Sequence, residues 1–171
     1  TPDQSSAASD VYKRQSVMLS FKNISPVIVV LGLLGSLPFL ILSMVVNYSV
    51  ISAGNAASSE ILGIYAPSIF VNYSAIILAF LSGALWGSRD NIRNSKEQTS
   101  LLVFTNLMAI SAWLLIIASH LSNLLLLISV LLLGVAFFAI YLIEVFYMTI
   151  PSGYKALRRL LTLIVIISHF S

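Results

Sequence analysis

The stretch LLLLISVLLLGVAFFAIYLI, residues 124–143, runs for twenty positions without a charged side chain. A helix of about 20 apolar residues crosses roughly 30 Å of hydrocarbon. No water is available there to bond free backbone groups, so such a stretch reads as a membrane-spanning helix. Comparable stretches lie on either side of it. Spans are expected over about residues 26–46, 64–86, 101–118 and 124–146, with a fifth over 156–171. Pro26 and Pro67 suit the first turns of their helices, where a missing N–H is harmless. Pro38 falls mid-span and is expected to kink its helix, which neighbouring helices can compensate. Residues 47–63 read as a polar connection and residues 87–99 as a short charged loop. The tight connection Ser119-His120-Leu121-Ser122-Asn123 makes spans three and four an antiparallel hairpin, and Pro151-Ser152-Gly153 is a turn signal. The fold class is therefore all-α: a polytopic transmembrane helical bundle with five expected spans.

The fifth span is short. Only 12 residues follow Arg159, and at about 1.5 Å each they reach roughly 18 Å. Starting the helix near Tyr154, with Arg158 and Arg159 snorkelling to the headgroups, recovers part of the deficit. A chain continuing beyond Ser171 is the equal alternative.

Composition agrees with the bilayer as solvent. Hydrophobic residues make up 58% of the 171 positions and charged residues 9%, against about 25% charged in a soluble domain. Cysteine is absent, which removes disulfides, thiolate metal sites and cysteine nucleophiles together. The net charge of +3 reads as contact with anionic lipid headgroups. Nucleic acid is excluded as a partner, because no basic stripe is interleaved with exposed aromatics.

The basic residues also orient the chain. Lys13, Arg14 and Lys22 precede the first span. Arg89, Arg93 and Lys96 lie between the second and third, and Lys155, Arg158 and Arg159 between the fourth and fifth. The connections 47–63 and 119–123 carry none. Basic segments resist translocation, so this asymmetry places the N-terminus in the cytoplasm and the C-terminus outside. The expected location is the bacterial inner membrane, or the mitochondrial inner membrane in a eukaryote.

The run Ser6-Ala7-Ala8-Ser9-Asp10-Val11-Tyr12-Lys13-Arg14-Gln15 resembles translated adapter sequence. Residues 1–17 are accordingly expected to be a non-native or disordered tail, with Met18 as a start and residues 18–171 a single transmembrane domain. The first span followed by Ala53-Gly54-Asn55-Ala56-Ala57 also resembles a signal peptide, but its apolar run exceeds the usual h-region.

Few residues are placed to carry chemistry. On the second span Ala75, Ala79, Gly83 and Gly87 recur every four residues. Small residues in such a stripe let another helix backbone approach closely; packing inside one bundle is the favoured reading, and homodimerisation the alternative. Gly32, Gly35 and Ser36 on the first span offer an opposing surface. Glu144 is the one acidic residue near a span, and an intramembrane carboxylate invites a proton-relay or cation-binding role. It lies at the inner boundary, with Arg158 and Arg159 just across the turn, so an interfacial ion pair is the favoured reading. Asn72 and Asn106 are expected to hydrogen-bond across helices, with a polar path as the minority reading. His120 and His169 are isolated and read as solvated. Trp86, Trp113, Tyr65, Tyr147 and Tyr154 fit interfacial aromatic belts. No phosphate loop, metal-binding helix motif, nucleophile elbow or carboxylate pair is present, so no cofactor, metal or catalytic residue is expected.

Three segments resemble a family of small, uncharacterised integral membrane proteins. That family is a domain of unknown function, family 3429, and includes transmembrane protein 69 of mitochondria. Leu31-Gly32-Leu33-Leu34-Gly35 followed by Leu37-Pro38-Phe39 resembles its opening helix. Tyr73, with Phe80-Leu81-Ser82-Gly83-Ala84-Leu85-Trp86-Gly87, is similar to its second-helix motif. Tyr154, Leu157-Arg158 and Leu161-Thr162 are similar to its final-helix pattern. Members often carry an Asp with adjacent basic residues near the end of the fourth helix, where this chain has Glu144 without them. The resemblance covers roughly residues 26–171 and implies a helical inner-membrane protein with no established activity.

The leading functional expectation is a non-enzymatic accessory or assembly protein acting through helix–helix contacts, with a membrane protein or a second copy of itself as partner. The alternative is a small transporter or channel using Asn72, Asn106 and Glu144, against which an odd helix count without inverted repeats argues. An intramembrane enzyme ranks third, for want of a nucleophile–base pair.

Overall fold

The structure, a computed structural model, describes residues 24–54, 59–92, 94–148 and 151–171. The tail 1–17 with Met18, the basic residues Lys13, Arg14, Lys22 and Arg93, and the segment Asn55-Ala56-Ala57 lie outside the described residues. Five helices are described: α1 (Pro26–Ala53), α2 (Ala66–Gly87), α3 (Ser95–Ser119), α4 (Asn123–Tyr147) and α5 (Ser152–Phe170).

α1 runs seven residues beyond the expected span end at Val46 and continues through Pro38. Residues 47–53 looked polar, yet they stay helical because their polar groups find local partners. Asn47 donates to the Ser43 carbonyl at 3.0 Å, and the Ser52 hydroxyl donates to the Tyr48 carbonyl at 2.7 Å. Gly54 ends the helix at φ +73°, and its N–H bonds the Val50 carbonyl at 3.0 Å. That left-handed conformation suits glycine. The remainder of the connection holds a two-stranded hairpin, β1 (Glu60–Ile61) with β2 (Ile64–Tyr65), in register Glu60↔Tyr65 and Ile61↔Ile64. Leu62 and Gly63 turn it with φ +54° and +75°, the doubly positive pair of a tight hairpin turn.

The charged loop is also shorter than expected, because α3 begins at Ser95. Asn94 caps it by accepting the Lys96 N–H at 3.0 Å, and its amide donates to the Glu97 carboxylate at 3.1 Å. Gln98 ties the preceding turn (Arg89–Asn91) back to α3 through the Arg89 and Ile92 carbonyls at 3.2 and 3.0 Å.

Packing follows chain order. Each helix lies against the next, α5 closes back on α1, and α2 touches α4 across the middle. The core is aromatic and aliphatic, with Phe39, Phe70, Leu78, Leu133, Phe137 and Ile140 all buried. Phe39 meets Phe70, Tyr73 and Phe137 edge-on, with ring centroids 5.9, 5.0 and 5.7 Å apart, the favoured aromatic geometry. Outward faces are apolar too: Leu31, Met44, Phe80, Val103, Trp113 and Leu124 are all exposed. Monomeric soluble proteins rarely expose contiguous apolar surface on that scale, so these faces belong in lipid.

Four helices, α1 to α4, are long and apolar enough to cross a membrane. The protein is a multi-pass membrane protein. α5 has 19 residues, but every 18-residue stretch of it contains Lys155, Arg158 and Arg159. Composition alone therefore counts four spans, not the five expected.

Candidate functional site

α5 carries the site. Arg158, Thr162, Val165 and His169 lie at positions i, i+4, i+7 and i+11, which align on one helix face. All four are buried, so α5 presents a largely polar stripe to an otherwise apolar bundle. Arg159 lies about 100° further round the helix and is exposed.

At the C-terminal end of α4, Glu144 meets Arg158. The guanidinium Nε donates to Oε2 at 2.6 Å and Nη2 lies 2.5 Å from the same oxygen. The side chains are 12% and 11% exposed. Burial on this scale makes the pair interdependent: each charge is tolerable because the other neutralises it. Among the described residues the guanidinium makes no hydrogen bond through Nη1.

Above the pair opens a lateral cleft of about 160 Å³, bounded by α1, α2 and α5 and floored by Phe137 of α4. Gly35, Ser36, Phe39, Phe80, Arg158 and Thr162 are among its walls. Phe80 and Leu31 at its rim are 70% and 63% exposed, so the cleft faces lipid. α1 and α2 converge beyond it, where the Tyr73 hydroxyl donates to the Gly35 carbonyl at 2.8 Å.

His169 sits deeper. Its ring lies among Phe70, Phe137 and Phe39, with centroids 4.7, 5.5 and 5.7 Å away. A carbonyl only accepts, so the 2.8 Å contact to the Val165 oxygen places the proton on Nδ1. Nε2 is then a bare acceptor, buried without a partner. The expectation of a solvated histidine is corrected here. A lone histidine near the end of the given sequence carries no local sign of burial; three phenylalanines from three other helices supply it.

These details can be set beside known proteins. Residues 24–171 match the family described as Protein of unknown function (DUF3429). The chain belongs to this family. No curated protein and no solved structure gives a match.

Within this DUF3429 chain, two of the segments that carried the resemblance meet. A Cβ on Gly32 of α1 would lie 2.8 Å from Leu161 Cδ1 of α5, and both residues line the cleft with Arg158 and Thr162. Gly134 plays the same part between α4 and α5. A Cβ there would lie 3.0 Å from both His169 Cβ and Phe170 Cε2. Sequence reading passed over Gly134, because a single glycine in an apolar run gives no hint of which neighbour needs the space.

The α2 stripe divides. Ala75 is buried, whereas Ala79, Gly83 and Gly87 are exposed. A Cβ at Gly83, Gly87 or Gly35 would meet no atom within 4 Å. The expectation of packing inside the bundle is corrected for these positions. A helix advances about 100° per residue, so a four-residue repeat drifts about 40° each step. Between Ala75 and Gly87 the stripe has turned from the core towards lipid.

Asn106 is exposed and donates to the Leu102 carbonyl of its own helix at 2.8 Å. It makes no bond across helices, because the i−4 carbonyl is within easier reach. Asn72 is half-buried in the N-terminal part of α2, whereas Glu144 lies near the C-terminal end of α4. The structure does not bring Asn72, Asn106 and Glu144 together. His120 is exposed. Trp86 is partly exposed, with the Arg89 guanidinium 4.4 Å above its ring, a cation–π contact. Among the described residues no group of three or more His, Asp or Glu side chains is placed to hold a metal ion.

Proposed function

We propose that this DUF3429 protein is a non-enzymatic accessory or assembly subunit that works through helix contacts, with the outward stripe Ala79, Gly83 and Gly87 as the contact face. The supporting observation is that this stripe faces away from its own bundle. A glycine in a helix costs about 1 kcal/mol relative to alanine. Gly83 and Gly87 return nothing for that cost inside the chain, where no neighbouring atom approaches them. In lipid, small residues at four-residue spacing allow a second helix to pack backbone to backbone.

The transporter reading has less support. Glu144 is neutralised by Arg158, and Asn106 bonds its own helix.

We read α5 as a fifth crossing. Its 19 residues span about 28 Å at 1.5 Å each. It runs parallel to α1, from Leu161 beside Gly32 to Ser171, whose hydroxyl lies 3.2 Å from that of Ser43 and 3.4 Å from the Asn47 amide nitrogen. The proposed orientation keeps the basic connections in the cytoplasm of a bacterial cell, or in the matrix of a mitochondrion.

The chain has no cysteine, so Gly83→Cys gives an unambiguous probe. Oxidation in native membranes is expected to cross-link it to a second copy or to a partner helix. A Cys at exposed Phe146 on α4 serves as control. Equal cross-linking at both positions, or at neither, would count against the proposal.

A further inference from the structure

The cleft above the Glu144–Arg158 pair has two polar groups with unspent bonding capacity. Several buried serines and threonines satisfy themselves on their own helix: Ser36, Ser74, Ser82, Thr105 and Ser168 each donate to a carbonyl three or four residues back, at 2.7 to 2.9 Å, whereas Ser49 of α1 makes no such bond among the described residues. Thr162 makes no such bond, although it is only 8% exposed and lines the cleft. Arg158, one turn nearer the basic end of α5, spends Nε and Nη2 on a single Glu144 oxygen, and its Nη1 makes no hydrogen bond among the described residues. The donors at positions 158 and 162 share one face of α5. Beyond them the walls become apolar, with Phe39, Phe137 and Val165.

Polarity along the cleft is therefore graded. Its cationic end lies near the basic boundary of the membrane, and its apolar end lies deeper in the bundle. Lys155 and Arg159, both exposed, flank Arg158 on the same helix. A volume of about 160 Å³ is close to the roughly 150 Å³ apolar cavity that holds a benzene ring. It would take part of an alkyl chain, not a whole lipid, so the headgroup must remain at the mouth.

We propose that this cleft is a binding site for an anionic phospholipid from the leaflet on the basic side. Its phosphate accepts from Arg158 Nη1 and the Thr162 hydroxyl, and one acyl chain lies between α1 and α2 against Phe39. Charge selects the ligand: Lys155 and Arg159 add a net positive field that the neutralised Arg158 pair lacks. Gly83 and Gly87 are not among the residues that line the cleft, so either proposal can fail without the other.

Gly35→Leu tests it by filling the cleft that Gly35 lines, since an added Cβ there meets no neighbouring atom within 4 Å. The protein would be reconstituted in nanodiscs of phosphatidylcholine with a minor share of phosphatidylglycerol, then extracted and analysed for retained lipid by native mass spectrometry. Wild type is expected to retain phosphatidylglycerol preferentially, one per chain. Thr162→Val should weaken retention roughly fivefold, the effect of one lost hydrogen bond. Gly35→Leu should abolish it with thermal stability unchanged, and Gly83→Leu should leave it unaltered. If Gly35→Leu failed to fold, Thr162→Val would decide alone. Equal retention of both lipids, retention of free fatty acid instead, or unchanged retention in Thr162→Val and Gly35→Leu would each overturn the proposal.

Discussion

Glu144 and Arg158 meet across the turn between α4 and α5, with Nε 2.6 Å from Oε2 and both residues about nine-tenths buried. The pair joins the two helices beside the turn that connects them, and Arg158 contributes a wall of the lipid-facing cleft. Its geometry is monodentate in the acceptor, because both guanidinium contacts use one carboxylate oxygen.

Breaking one side of this pair leaves a buried charge without a partner. Glu144→Gln or Arg158→Gln is expected to lower stability by about 3–5 kcal/mol. The double substitution Glu144→Gln with Arg158→Gln should cost less than the two single losses summed, since it removes both charges at once. Thermal unfolding in detergent across the four proteins measures the coupling. Additive losses would show that the two side chains act independently.

Two close glycines should respond differently to enlargement. At Gly134 an added Cβ meets His169 Cβ, an atom held by the α5 backbone, at 3.0 Å. At Gly32 it meets the tip of Leu161, which can rotate aside. Gly134→Ala is expected to destabilise by about 1–3 kcal/mol, and Gly32→Ala by less than about 1 kcal/mol, helped by the propensity gain of alanine. Equal effects on the unfolding temperature would contradict the close approach of α5 to α4.

His169 is expected to be dispensable for stability. Replacing it with Leu removes an orphan acceptor whose burial costs about 1–3 kcal/mol. The same change loses one hydrogen bond and the ring contacts with three phenylalanines, together of similar size. His169→Leu should therefore unfold within about 1 kcal/mol of the parent protein. A much larger loss would mean that Nε2 has a partner in the membrane.

The fifth crossing can be tested on the cysteine-free background. A Cys at position 155 should react with a membrane-impermeant maleimide from the same side as a Cys at Lys96. A Cys at position 171 should react from the opposite side, together with one at His120. Labelling of positions 155 and 171 from one face would show that α5 enters the bundle without crossing.

Much of this architecture was legible in the sequence, and for a simple reason. The cores of α1 to α4 are uniformly apolar because lipid tolerates little else, so length and charge locate them without any packing information. The pairing of Glu144 with an arginine was equally visible, since the turn at residues 151–153 brings residues 144 and 158 close. Helical phase then decides between the two arginines: Arg158 shares its face with Thr162 and His169, and Arg159 does not. Polar segments misled. Residues 47–53 and 95–99 read as loops by composition, yet helix continues through them on local hydrogen bonds and a cap. Which face of α2 points inward was not legible either, because serines and glycines alternate round that helix. Ser74 and Ser82 are buried while Gly83 is exposed.

The most direct test of the proposed role is affinity purification of the tagged protein from native membranes in mild detergent, with mass spectrometry of what co-purifies, in parent and Gly83→Leu forms. The account predicts a stoichiometric partner, or a defined oligomer, that Gly83→Leu disrupts while leaving the chain folded. The same partner or oligomer recovered intact with Gly83→Leu, or a parent protein that purifies only as a monomer, would contradict it.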